Sequence, residues 1–231
     1  MIFVVNKKRG IERILKDFPN ADILDITSSS EKRYAQLLSP FYPHGNIPIP
    51  NTPQLKATCV EAVWQGLKVF ANADVDFDTF KNGTMHNLKR TVRKYGPPIG
   101  HRYGAFSQTI LNYFDARMLI YLPTYKYVLD NVAEVHHIIE RIKDRAKDHV
   151  VILLDYNTNT DYRDTSKPLS HAELVKMYIE GTYPEYSADI KPLTEEERKN
   201  KKVKDRKLKK EVKEASKKQN EESSPSLFKD E

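Results

Sequence analysis

The sequence predicts an α+β fold, a mostly helical single domain around a small β-sheet, with a charged C-terminal tail. Three observations carry this. Short apolar runs of strand type, MIFVV, ADILDIT and VVILLDY, alternate with stretches whose apolar residues recur every three or four positions. A total of 231 residues suffices for one domain of roughly 150–200 residues plus a tail. From about Thr194 the apolar residues nearly vanish.

Met1 to Val5 reads as a buried strand. In Gly10 to Phe18 the apolar residues Ile11, Ile14, Leu15 and Phe18 have helical spacing, and Pro19-Asn20 stops the helix. Ala21 to Thr27 alternates, as a second strand does. A short helix over Glu31 to Leu38 leads into SPFYPHGNIPIPNTP, Ser39 to Pro53, which is expected to be irregular because proline breaks both ladders. A helix is predicted over Ala57 to Phe70, and a basic helical stretch over Asn82 to Lys94, ended by Gly96-Pro97-Pro98. Phe106 to Arg117 reads as a helix, with Arg117 to Leu122 a short strand or its continuation. Val128 to Ala146 reads as a charged amphipathic helix. Val150 to Tyr156 is a continuous apolar run, as in a strand buried on both faces. Leu169 to Glu180 is a helix with a Ser170–Glu173 capping box, and Gly181 is its C-terminal stop.

The globular domain is expected over residues 1–193. Residues 194–231 carry 13 Lys/Arg against 10 Asp/Glu. Such a segment buries too little apolar surface to offset its ordering entropy, so a solvated helical or disordered tail is expected. The net charge of +6 permits contact with phosphate or nucleic acid without demanding it. The single cysteine, Cys59, excludes an internal disulfide, and no apolar run approaches the ~18 residues of a membrane span. The start MIFVVNKKRG has its charges after the apolar run, the wrong order for a secretory signal. A cytoplasmic protein is expected.

The stretch CVEAVWQGLKVF (59–70) sets Glu61, Gln65 and Lys68 among small or apolar residues. With Glu61 at zero on a helix, Gln65 lies at roughly 40° and Lys68 at roughly −20°. This stripe is too narrow for a solvent face, so it points into the protein or a cleft. Either Glu61 and Lys68 form a structural ion pair with Gln65 beside them, or they stand on a pocket wall.

LSPFYPHG followed by VEAVWQGLK resembles the signature of the NADAR superfamily, N-glycosidases named for NAD and ADP-ribose chemistry. The loop matches at Ser39, Phe41, Tyr42 and Pro43, the helix at Glu61, Trp64, Gln65 and Lys68. The chain departs from the pattern at Ala62, where the family has His, and in lacking a downstream Trp-Gly-x-Gly element, Trp64 being its only Trp. Residues 1–30, a strand–helix–strand extension, also lie outside it. The resemblance implies a divergent member that cuts the bond between a ribose C1 and an amine. Its partner would be an ADP-ribose-like or ribosylamino small molecule, or ADP-ribosylated guanine in nucleic acid, with no cofactor. Ser39, Trp64 and Gln65 would then contact substrate.

That cleavage passes through a cation-like sugar carbon, which a carboxylate stabilises, so Glu61 is the candidate for electrostatic and acid–base work. Lys68 is either a Schiff-base amine or a fixed charge for phosphate. Phe41 and Tyr42 can stack on a flat base or simply pack in the loop. Among the basic residues of 81–104, Arg90, Arg93 and Arg102 are candidate phosphate contacts, alongside Lys89, Lys94 and His101, or else form a solvated face. Asp155, at the end of the apolar run, is a third catalytic candidate or a turn cap. His171 falls in the capping box and reads as structural. No Cys/His cluster has metal spacing, so no metal is expected. The alternative is a catalytically inactive nucleotide- or nucleic-acid-binding protein on the same fold.

Overall fold

The computed structural model describes residues 1–201, 203 and 204. They divide into two compact units, Met1–Ile190 and a second starting at Lys191. The first unit is α+β and carries three small sheets.

The first sheet is parallel. Strand β1 (Ile2–Asn6) is followed by a single 3-10 turn and helix α1 (Ile11–Asp17), then β2 (Asp22–Asp25). The strand between them, β8 (Val151–Asp155), pairs with both, Val151 lying opposite Ile2 and Asp22. Every residue of β8 is buried, as the continuous apolar run predicts. Successive side chains point to opposite faces. Ile152 and Leu154 join Val5 and Ile14 in a small core on one face, while Val151 and Leu153 join the main core on the other. Helix α1 contributes only Ile14, its Ile11 and Leu15 being exposed. Helix α2 is the short element Arg33–Gln36.

The proline-rich stretch is not irregular throughout. Strands β3 (Ile47–Ile49) and β4 (Thr52–Ala57) form an antiparallel hairpin containing Pro48 and Pro53. A two-stranded sheet is all edge, and proline is tolerated where its missing N–H faces away from the ladder.

Helix α3 covers Val60–Gly66 and is capped by the Cys59 sulfur, which accepts from the Ala62 N–H at 3.2 Å. It is shorter than predicted. Lys68 already belongs to β5 (Lys68–Phe70), part of an antiparallel sheet with β6 (Pro98–Arg102) and β7 (Ile110–Leu111). Between β5 and β6 lie α4 (Phe77–Lys81) and α5 (Val92–Tyr95). The expected basic helix from Asn82 is therefore helical only in its last turn, and the helix expected from Phe106 is confined to α6 (Tyr113–Ala116). Asn82 explains part of this: its side chain accepts from Thr84 and donates to the His86 carbonyl, local bonds that compete with a helix.

After α6 the chain makes a π-helical turn, Arg117–Tyr121, and continues as α7 (Leu122–Asn131). Pro123 supplies no N–H, and its ring crowds the preceding turn, which the wider π geometry accommodates. The predicted amphipathic helix is cut at Val132, so α8 covers Ala133–Asp148. Helix α9 (His171–Ile179) has the expected cap: Ser170 Oγ accepts from the Glu173 N–H at 3.2 Å, and Gly181 takes φ 70° after its end.

In the second unit residues 195–201 are helical. Thr194 and Glu197 bond reciprocally, side chain to backbone N–H, at its start. The expectation for the rest of the tail lies outside the described residues. Among the described residues, no helix is long and apolar enough to cross a membrane.

Candidate functional site

A cavity of about 650 Å³ opens at the carboxyl ends of the parallel strands, the edge where open α/β sheets commonly hold ligands. Thr27 and Ser28 approach from beyond β2, and Asp155, Tyr156 and Asn157 from the end of β8. The opposite wall is α3 and β5.

On α3, Glu61 and Gln65 are one turn apart and share a face. Gln65 Nε2 donates to Glu61 Oε1 at 2.8 Å, and Lys68 Nζ donates to Gln65 Oε1 at 2.8 Å. The Gln65 oxygen also accepts from the Arg90 backbone N–H at 3.0 Å. The stripe read from the sequence thus faces the cavity, but Glu61 and Lys68 make no direct ion pair, because the amide stands between them. Burial raises the Glu61 carboxyl above its usual range despite the Gln65 bond and the charges of Lys68, Lys89 and His171. Burial likewise lowers the Lys68 ammonium against the pull of Glu61, and the charges of Arg90 and Lys89 lower it further. A carboxyl and an amine with converging affinities for a proton stand on either side of one amide, an arrangement typical of sites that move protons. Burial pushes the Cys59 thiol up to about 11, leaving it an inert cap rather than a nucleophile.

Ser39 and Phe41 line the same cavity, at the mouth of the loop anchored where the Glu61 N–H donates to the Pro40 carbonyl at 2.8 Å. The Lys89 ammonium sits 5.5 Å from the centre of the Phe41 ring and lines the cavity with it. Trp64 meets His101 at 3.8 Å between ring centres, and Tyr113 and Tyr121 edge-on at 5.8 and 5.7 Å. Ser39, Phe41, Glu61, Trp64, Gln65 and Lys68, from two separate sequence segments, therefore converge on one cavity.

Five other candidates are corrected. Tyr42 lies outside this cavity, pairs with His44 at 4.8 Å and lines a separate surface hollow with Arg33 and Glu134. Arg90 is buried scaffold: its guanidinium donates to the carbonyls of Lys68 (2.6 Å) and Asp74 (2.9 Å) and lies about equally near the Phe70 and Tyr95 rings, which stack on each other at 5.1 Å. Arg93 is exposed on α5 away from the cavity. Arg102 is bound bidentately by Asp74, at 3.0 and 2.6 Å. Asp155 reaches the cavity wall, but its Oδ2 is occupied by Ser170 Oγ at 2.7 Å and His171 Nδ1 at 3.0 Å. Burial alone would raise this carboxyl, yet the His171 charge and these bonds hold it at about 2. His171 Nε2 reaches the Ile26 carbonyl at 3.0 Å, so both ring nitrogens have acceptors. Burial opposes the imidazolium, but Asp155 and Ile26 raise its proton affinity overall. The pair ties the ends of β2 and β8 to α9. It is a positioning element, in line with the structural reading of His171.

Sequence reasoning gave no site role to Tyr113, Tyr121 or Arg117, which lie on α6 and the π-helical turn. Arg117 donates to the carbonyls of Tyr162, Asp164 and Lys167 at 2.8 Å each, holding the loop before α9 over the cavity. Among the described residues, no group of three or more His, Cys, Asp or Glu is arranged to hold a metal ion.

No curated protein and no solved structure matches the chain. A family model does, over residues 6–175, a span that takes in the whole cavity from Thr27 to His171. The chain belongs to that family, DUF6939, a family of unknown function.

Proposed function

We propose that the chain is an N-glycosidase that hydrolyses the C1–N bond of an ADP-ribosyl or ribosylamino substrate. The observation that carries this reading is the convergence of the Glu61–Gln65–Lys68 relay with Ser39, Phe41 and Trp64 on one cavity. These are six of the eight positions on which the resemblance to the NADAR superfamily rests. Water attacks C1 as the C1–N bond breaks, and the leaving amine takes a proton. The sugar carbon becomes cation-like, and the Glu61 carboxylate opposes that charge at close range. Its raised proton affinity also suits it to passing a proton between water and amine. Lys68 and Lys89 supply positive charge for a phosphate, and Phe41 and Trp64 supply faces for a flat base. Asp155 serves here by fixing α9 rather than as a catalytic group. The buried thiol fits a cytoplasmic setting.

The test is product release by mass spectrometry, from DNA carrying ADP-ribosylated guanine and from a ribosylaminopyrimidine phosphate, with wild type and Glu61→Gln in parallel. Free ADP-ribose or ribose phosphate from wild type, reduced at least ~100-fold in the variant, supports the assignment. No release from either substrate sinks it. Salt-sensitive DNA binding that survives Glu61→Gln would point instead to an inactive nucleic-acid-binding protein.

A further inference from the structure

His101 is 2% exposed, yet neither ring nitrogen has a hydrogen-bond partner among the described residues. Leaving a buried donor and acceptor unpaired is costly, and folded chains rarely keep such a group without a use. His101 lies directly across the antiparallel ladder from Lys68, so the two side chains share the sheet face that lines the cavity. Its ring packs 3.8 Å from that of Trp64.

Burial and the Lys68 charge depress its proton affinity to about 3, so the ring is neutral at physiological pH. A neutral imidazole offers one N–H and one lone pair. A hydroxyl, which both donates and accepts, suits either tautomer. A phosphate suits the neighbouring ammonium groups better.

We propose that His101 is the residue that hydrogen-bonds an uncharged hydroxyl of the bound sugar. It rests on the ribosyl-ligand reading above. Both nitrogens are sealed from solvent in the chain as it stands, so the imidazole turns against Trp64 to present one of them as the sugar enters. A site built to bond a hydroxyl discriminates strongly against analogues that lack it.

The test combines calorimetric titration of the full chain with ADP-ribose and ribose 5-phosphate and thermal unfolding without ligand, for wild type, His101→Phe and His101→Asn. Phenylalanine keeps the ring stack and removes both nitrogens. The expected result is a His101→Phe chain at least as heat-stable as wild type that binds either probe about tenfold more weakly. His101→Asn, with an amide in place of the ring, recovers part of the loss. In wild type labelled with 15N-histidine, the His101 ring signals shift on ADP-ribose addition. Unchanged affinity in His101→Phe, or unmoved ring signals in the liganded wild type, overturns the proposal, as does binding of neither probe to wild type. Weakened binding without any C1–N cleavage by wild type leaves His101 assigned and removes only the glycosidase reading.

Discussion

Replacing Arg90 with methionine separates scaffold from binding group. The guanidinium makes two short bonds to carbonyls, and a third to the Gln65 carbonyl is marginal at 3.4 Å. Hydrogen bonds from a charged donor are worth ~1.5–3 kcal/mol each, so the two good ones amount to ~3–6 kcal/mol. The stacked Phe70 and Tyr95 rings beside it add ~0.5–1 kcal/mol apiece. Relief from burying an ion returns several kcal/mol. The net destabilisation is ~2–4 kcal/mol, which at ~2–4 °C per kcal/mol for a domain of this size lowers Tm by roughly 4–16 °C. Circular dichroism melts measure it, with lysine at the same position as a control that keeps charge but loses the fork. Since the Gln65 side chain is held by the Arg90 backbone N–H, ADP-ribose affinity at a temperature where both proteins are folded is expected to change less than ~3-fold. An unshifted Tm with binding abolished would refute this reasoning and return Arg90 to the substrate contacts.

Asp155→Asn is expected to cost ~3–5 kcal/mol by stranding His171, read by urea unfolding. The pair also sets a pH window. The raised His171 affinity contributes stability that is whole below the free-histidine value and fades as pH rises through the folded one. The lowered Asp155 affinity contributes stability present above the free-aspartate value and lost as pH falls through about 2. Asp155→Asn should flatten both flanks of a plot of stability against pH, and unchanged flanks would contradict the pairing. Gly66→Ala places a methyl against the buried Phe80 ring and should cost ~1–3 kcal/mol in the same assay. Lys68, its ammonium lowered by burial, should reach half of its own maximal rate of methylation by formaldehyde and borohydride at a lower pH than Lys147, whose affinity Asp144 raises, as peptide mapping by mass spectrometry across a pH series would record.

The three strands of the parallel sheet were legible as short apolar runs, β8 as an unbroken one, though not their parallel pairing, and the α9 cap was legible because its signals are local in the chain. The stripe at Glu61, Gln65 and Lys68 was also legible, though by a helical argument that holds only for the first two. Lys68 reaches the same wall because a strand begins there. What stayed hidden depends on pairing between distant segments. β6 contains two glycines or prolines among five residues, a weak strand signal, so His101 read as one more basic group. Arg90, Arg93 and Arg102 look alike in sequence. Only the fold decides that Arg90 meets carbonyls, Arg102 meets Asp74 and Arg93 meets solvent. The hairpin containing Pro48 and Pro53 was missed because edge position, invisible locally, is what makes proline tolerable there.

Gln65 has a consequence beyond geometry. A glutamate and a lysine in direct contact would satisfy each other, and their proton would settle between them. An amide neither gives up nor takes a proton at physiological pH, so it works as an electrical spacer, conveying dipole without conveying charge. Three partners fix which of its ends faces which group, and one of them is a backbone N–H that no side-chain substitution at position 90 removes, proline excepted. The acid and the amine are thereby kept near each other and separately available, each free to act on a third molecule instead of on its neighbour.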